Sequence, residues 1–435
     1  SGNDVTGTYE LFATDLSVGA STETDTNRGS TAQMASTNTG SSTTDRSGND
    51  VTGDYVLHVT NNSTVLNQET DTNRGFTATI TSTNVGNSTS DRTGSDVTGE
   101  YGLTATSNLN STKLEIDTNR GSTANIASTT NGGGTNNRSG NDVTGVYSLH
   151  ETSNFTVTGI ETDTNRGSTA NIATSNTGTG TSDRAGNDVT GDYTVIATNG
   201  STEVTGETDI NRGSTANIAS TNTGTSTSNQ TGNNVTGDSV LHGVNHSTIT
   251  SGETDINRGS TANITSTNTE HSTSDRTGSD VTGEYSLHAT SSASAVTGET
   301  DINRGFTANI GSSNLSVNVS DRTGNQVTGS YVLLATNNSA DTSIETDTNR
   351  GSTSNSTSSD IGANVSGRVG NDVTGEYTLH ATNASTASSF ATDTNRGFTA
   401  VIANSNINLS TSDRTGSDVT GAYTLHSTNA STGAG

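Results

Sequence analysis

Gly48-Asn49-Asp50-Val51-Thr52-Gly53-Asp54-Tyr55-Val56-Leu57-His58-Val59-Thr60 is the stretch on which the fold depends. Val51, Gly53, Tyr55, Leu57 and Val59 alternate with Thr52, Asp54, Val56 and His58. A period of two marks a half-buried strand. Gly48-Asn49-Asp50 supplies turn chemistry ahead of it. The stretch recurs at one interval. Its first glycine falls at Gly2, Gly48, Gly94, Gly140, Gly186, Gly232, Gly278, Gly324, Gly370 and Gly416, always 46 residues apart. The Val, Thr and Gly at the strand's start recur in all ten copies, and the Tyr in nine, with Ser239 the exception.

Downstream, Asn61 to Gln68 is polar and varies between copies, which reads as a loop. Glu69-Thr70-Asp71-Thr72-Asn73-Arg74-Gly75 follows. Thr77, Ala78, Thr79, Ile80 and Thr81 then alternate as a second, shorter strand. Its Ala recurs in eight of nine copies and its Ile in seven, with Met34 in the first and Ser354 and Ser356 in the eighth. A run of Ser, Thr, Asn and Gly leads to Asp91-Arg92. No segment carries an apolar stripe of helical period, so almost no helix is expected.

The chain thus divides into nine tandem repeats, 1–46, 47–92, 93–138, 139–184, 185–230, 231–276, 277–322, 323–368 and 369–414, with 415–435 a partial tenth. No copy carries an insertion, so each must fit one template against its neighbours. Hydrophobic residues are only 25% of the chain and aromatics 3%. No repeat holds enough apolar surface to fold alone, so order must come from docking between copies. Disordered chains share this polarity, but not a strict period with fixed apolar positions. Arginines recur 18 and 28 residues apart alternately, except where Gln230 intervenes. That half-repeat suggests two unequal coils. The expected fold is all-β, a β-solenoid or a stacked β-repeat fibre. The alternatives are a string of small β modules or an extended glycan-coated chain.

The formal charge is −26, with Lys113 the single lysine. Nucleic acid and anionic membrane surfaces are therefore poor partners, and cations and neutral polysaccharide better ones. No apolar run reaches transmembrane length, so no membrane insertion is expected. The absence of cysteine excludes disulfides and thiolate metal sites. The chain opens at the first residue of a repeat, which reads as a mature chain or an excerpt of a longer array.

The strongest motif is Asp-X-Asn-Arg-Gly, present in all nine full repeats. Gly supplies a permissive backbone, Asn tolerates left-handed geometry, and Arg is expected to pair with Asp across a coil or between repeats. The structural set comprises Asp25, Arg28, Asp71, Arg74, Arg120, Arg166, Arg212, Arg258, Arg304, Arg350 and Arg396, together with Arg46 and Arg92 of the second arginine series. Glu69, Asp71 and Asn73 also resemble the opening of a calcium loop. Arg74 stands where that loop needs glycine, and no distal bidentate Glu follows. No cofactor is expected beyond calcium held loosely on the acidic surface. Six of eight histidines, His58, His150, His242, His288, His380 and His426, share one register on the face opposite Tyr and Leu. Phe12, Thr104, Ile196 and Leu334 occupy that place elsewhere, which reads as an exposed, tolerant position. Phe76, Phe306 and Phe398 replace a Ser and read as peripheral rings able to stack on sugars.

Asn-X-Ser/Thr sequons cluster in two places expected to be exposed. Asn61, Asn62, Asn154, Asn199, Asn245, Asn337, Asn383 and Asn429 follow the Tyr strand, and Asn110 lies in the same stretch. Asn87, Asn314, Asn318, Asn364 and Asn408 lie in the polar run before the second Arg. These are the candidate sites of covalent glycans, with O-linked sugar on Ser/Thr also considered. Catalysis finds no support: nine equal copies offer no unique pocket, and no nucleophile elbow or phosphate loop appears.

Thr/Asn/Gly-rich strands such as Val189-Thr190-Gly191-Asp192-Tyr193, the acidity, and the scarcity of Lys, Cys and Trp resemble the tandem-repeat regions of bacterial surface adhesins and extracellular fibrils. The chain lacks the glycine-rich nonapeptides of secreted toxins and the one-per-coil Thr-X-Thr ladder of solenoid ice-binding proteins. The expectation is a structural protein of an extracellular, glycosylated filament, stalk or surface coat, self-associating into a fibre or with neighbouring copies. The alternative is an adhesin shaft or a carbohydrate- or ice-binding surface.

Overall fold

The computed structural model describes residues 2–3, 5–27, 29–73, 75–119, 121–165, 167–211, 213–257, 259–303, 305–395 and 397–435. Two compact units are present, Ser1–Ala219 and Ser220–Gly435. In the first, the strands are β1 (Gly2–Asn3), β2 (Thr8–Asn27), β3 (Ser30–Asn49), β4 (Asp54–Asn73), β5 (Phe76–Ser95), β6 (Glu100–Asn119), β7 (Ser122–Asn141), β8 (Val146–Asn165), β9 (Ser168–Asn187) and β10 (Asp192–Asn211). They pair antiparallel in sequence order. The division between units falls within β11 (Ser214–Asn233). The second unit holds β12 (Asp238–Asn257), β13 (Ser260–Ser279), β14 (Glu284–Asn303), β15 (Phe306–Asn325), β16 (Ser330–Asn349), β17 (Ser352–Asn371), β18 (Glu376–Asn395), β19 (Phe398–Ser417) and β20 (Tyr423–Ala434). These too pair antiparallel in order. There is no helix among the described residues.

The repeat length now has a physical meaning. Each period is two 20-residue strands, one two-residue turn and one four-residue loop. Coils of a solenoid would stack parallel strands. Every pairing here is antiparallel, so the array is the stacked-repeat form and each repeat is a hairpin.

The strands are far longer than the apolar alternation marked. Asn61–Gln68, expected as a loop, is the interior of β4, and the polar run before Asp91-Arg92 is the interior of β5. Conversely, Val51 and Gly53 lie in the loop ahead of β4, not in the strand. Backbone pairing on both sides holds a polar mid-strand as well as an apolar one, and Thr suits the pleat through its branched Cβ. Variation is tolerated there because no second layer rests on it. Within each unit, strands touch only their sequence neighbours among the described residues. Ala308, Tyr331 and Tyr377 are the only buried apolar side chains described.

The two ends of the strands are built differently. At the loop end, the Asn49 side chain accepts from the Val51 and Thr52 amides at 2.8 and 3.2 Å, and the Gly53 amide donates to the Asn49 carbonyl at 2.8 Å. The loop then bonds to the loop of the preceding repeat. The Asp50 amide donates to the Gly7 carbonyl at 2.8 Å, and Asp96 to Gly53 at 2.9 Å. In the second unit Asp372 donates to Gly329 and Asp418 to Gly375, both at 2.8 Å. Side chains repeat the link, with Asn141 Nδ2 donating to the Thr98 carbonyl at 3.0 Å and Asn371 Nδ2 to Thr328 at 2.9 Å. At the turn end, Arg350 and Gly351 have φ of 34° and 96°. Positive φ at both centres is the type I′ hairpin turn, whose twist matches that of the strands. Ser352 Oγ closes it by donating to the Asn349 carbonyl at 3.0 Å.

Candidate functional surfaces

Strand alternation gives each unit two faces. On the first, a row crosses the strands in the order Tyr9, Gly48, Tyr55, Gly94, Tyr101, Gly140, Tyr147, Gly186. Each Tyr ring lies over the glycine of the following strand. A Cβ added to Gly48 would stand 2.5 Å from the Tyr9 hydroxyl, and one on Gly370 2.7 Å from that of Tyr331. The repeating glycine is therefore the floor under a ring, which sequence alternation alone does not disclose.

Beside this row, Leu and Arg alternate, for example Leu57 opposite both Arg46 and Arg92. These arginines stack on tyrosine instead of serving the Asp of the turn motif. Arg46 lies 5.4 Å from the Tyr9 ring centre and Arg92 5.4 Å from that of Tyr55. In the second unit the guanidinium contacts two rings, as Arg368 does with Tyr331 at 5.6 Å and Tyr377 at 4.5 Å. Arg–Asp pairs between repeats do form, but with the loop aspartate: Arg322 Nη2 reaches Asp372 Oδ2 at 3.3 Å, and Arg368 reaches Asp418. Burial raises the Tyr331 hydroxyl pKa above its ordinary value, with Arg368 opposing and Asp372 and Asp418 adding to the rise.

Of the turn arginines, Arg28, Arg74, Arg120, Arg166, Arg212, Arg258, Arg304 and Arg396 lie outside the described residues. Arg350 is described, and Asp347 Oδ1 of the same motif is shielded from solvent without a hydrogen-bond donor. Asp71 Oδ1 is in the same state, and Asp25 is exposed. Toward the turn, this face carries two further rows. Asp25, Ala32, Asp71, Ala78, Asp117 and Ala124 form one, and Glu23, Met34, Glu69, Ile80, Glu115 and Ile126 the other. Within each row an uncharged residue on the intervening strand separates successive carboxylates, placing them about 9.6 Å apart at the usual strand spacing. That is about one Debye length at physiological salt, which limits repulsion in a chain of charge −26.

The opposite face carries the histidines. Five of the six histidines in this register set Nδ1 against Asp Oδ1 on the next strand: His58 with Asp91, His150 with Asp183 at 2.5 Å, His242 with Asp275, His288 with Asp321 at 2.5 Å and His380 with Asp413 at 2.5 Å. Between these strands run threonine rows. In the first unit Thr14, Thr43, Thr60, Thr89, Thr106, Thr135, Thr152, Thr181 and Thr198 occupy one line across nine consecutive strands. Hydroxyls pair along it, Thr89 with Thr106 at 2.6 Å and Thr135 with Thr152 at 2.7 Å. Nearer the turn, Thr72, Thr118 and Thr164 each donate at 3.3 Å to a carbonyl of the preceding strand, on Thr31, Thr77 and Thr123. The signal was present in the sequence as Thr intervals alternating between 29 and 17. Such intervals become informative only once the antiparallel register is known.

All fourteen candidate sequon asparagines lie within strands, not loops, and all except Asn318 are exposed. Asn62 and Asn87 face each other on one pair of strands. Asn318, Asn337, Asn364 and Asn383 form an unbroken row over four strands. Adjacent strands lie only about 4.8 Å apart, too close for a glycan on every member of that row. Phe398 is 73% exposed, whereas Phe76 and Phe306 are half-buried beside their turns. At every loop, a valine is at least two thirds exposed, from Val5 at 91% to Val97 at 67%. No helix among the described residues is long and apolar enough to cross a membrane. No known protein-family model matches the chain, and no curated protein matches it.

Proposed function

We propose that this chain is a structural repeat protein of an extracellular, glycosylated filament, stalk or surface coat, acting through its mechanics and not through a reaction. One observation carries the reading: within each unit, successive repeats share one register and the same loop-to-loop bonds, and a Tyr–Gly–Arg cluster recurs wherever Ser239 and Gln230 do not interrupt it. Such an interface can be iterated without limit, because each repeat offers both halves of it. Thirteen exposed sequons provide attachment for sugar, which would also discourage chains from adhering face to face. Self-association with neighbouring copies follows from the iterated repeat-to-repeat interface, and the repeated acidic surface makes nucleic acid a poor partner.

The test is the axial advance per repeat in images or diffraction of assembled material. Two strands at the usual spacing give about 9.6 Å per 46 residues. An advance of several tens of ångströms would sink the reading. Intact mass of these 435 residues expressed through a secretory route tests the sugar, since a value of 44.1 kDa leaves no room for it.

The threonine rows favour a second reading, a surface that orders water or binds polysaccharide. The hydroxyls, however, are already engaged with one another or with the backbone. Cross-strand hydroxyl pairs contribute about 0.2–1 kcal/mol each to the sheet, which supports the cohesive reading over the binding one. Ice-growth inhibition by the purified chain would reverse that order.

A further inference from the structure

Two of the eight histidines stand outside the shared register, His246 and His271. Both fall in the sixth repeat, and the fold sets them directly opposite each other on β12 and β13. Their ring centres are 6.1 Å apart with the planes inclined by 56°. Both side chains are exposed on the face that carries the His–Asp pairs. In other repeats these two places hold residues such as Asn62 with Asn87 and Ser292 with Val317, so nothing in the repeat's architecture calls for imidazole. The pair arises through two departures from the template in one repeat, at the one pairing that joins them.

We propose that His246 and His271 form a binding site for a divalent transition-metal ion of the class that prefers imidazole, Zn²⁺ or Cu²⁺. Imidazole nitrogen is a suitable donor for both ions. Metal–nitrogen bonds of about 2.0–2.1 Å put the ring centres of two cis ligands roughly 5 Å apart. The observed 6.1 Å is reached from there by small side-chain rotations on exposed strands. A rigid cross-strand pair presents both donors at once, which raises affinity over a single histidine through effective concentration. The surrounding charge of −26 draws cations toward the surface. No group of three or more His, Asp or Glu side chains lies together among the described residues, so water completes the coordination shell. The five described His–Asp pairs differ in kind, because there the imidazole nitrogen facing the neighbour is already engaged by carboxylate.

The experiment titrates Zn²⁺ into the full chain by calorimetry, and Cu²⁺ with electron paramagnetic resonance. The wild type is expected to take up one equivalent in its tightest class, with two nitrogens in the Cu²⁺ spectrum. His246→Asn and His271→Asn should each weaken that class at least about tenfold, and the double variant should weaken it no further than either single one. His242→Asn, on the same strand but facing Asp275, should leave it unchanged. Unaltered affinity in either single variant, an equal loss in His242→Asn, or a one-nitrogen Cu²⁺ spectrum would each overturn the proposal. The spectrum is read on unmodified protein and is independent of whether a variant folds.

Discussion

The loop end and the turn end of these strands reverse the same chain by different means. The loop end reverses it in four residues and binds the neighbouring repeat while doing so. The turn end uses two residues and serves its own hairpin. Both hold a glycine at positive φ, but for different reasons. Gly329, with φ 74°, has no room for a side chain, since a Cβ would lie 2.6 Å from Val373 Cγ2 and 2.8 Å from its backbone nitrogen. Gly351, with φ 96°, has nothing within 4 Å of that position. One glycine answers to a neighbour, the other only to its own backbone. The loop end therefore adds repeat-to-repeat contacts to those of the strand ladder.

Gly329→Ala should break this asymmetry most severely. Left-handed strain of about 1–2 kcal/mol adds to overpacking of about 1–3 kcal/mol. Gly351→Ala should cost only the strain, about 1–2 kcal/mol. Amide exchange should show the first change loosening two successive repeats and the second a single hairpin. Equal effects would remove the distinction between the edges. Asn371→Ala comes next, at about 1–2 kcal/mol. It removes the acceptor of the Val373 and Thr374 amides and the donor to the Thr328 carbonyl. Protease sensitivity should rise at the loop and not at the turn.

Alkaline pH should act on the same edge. Tyr331 lies at its loop end, and burial raises its folded pKa above the ordinary 10.0. The neutral phenol is the form favoured by folding, so its stabilising contribution is complete below pH 10 and is lost as pH rises through the folded value. Tyrosinate absorbance should lose a late-ionising component in Tyr331→Phe. The smallest effect is expected from Arg350→Asn. Asn tolerates left-handed geometry better than Arg, so the turn should gain about 0.5–1 kcal/mol. A loss instead would reveal an interaction of Arg350 that the backbone geometry does not account for.

The sequence made the period, the all-β class and the Tyr face legible, because Tyr55, Leu57 and Val59 alternate over a chain with no helical stripe. It obscured the strand lengths. Alternation reports a core on one side, and with almost no core, Asn61–Gln68 had no pattern by which to declare itself strand. It also obscured partners. Arg92 reads as an ion-pair donor until the register places it next to Tyr55. The threonine rows and the His246–His271 pair are long-range consequences of register, joining residues 17, 25 or 29 positions apart. Thirteen of the fourteen sequon asparagines are exposed, but not because they lie in loops: openness comes from a single layer.

The alternation of a short turn with a longer loop sets the unit by which such a gene can expand or contract. Duplicating one strand would send the chain to the opposite margin and leave a Val-bearing loop where a type I′ reversal is required. Duplicating a hairpin restores direction, facing and junction together. Recombination in steps of whole hairpins would therefore yield products of many lengths that all fold by the same rules, whereas any other step would leave a seam.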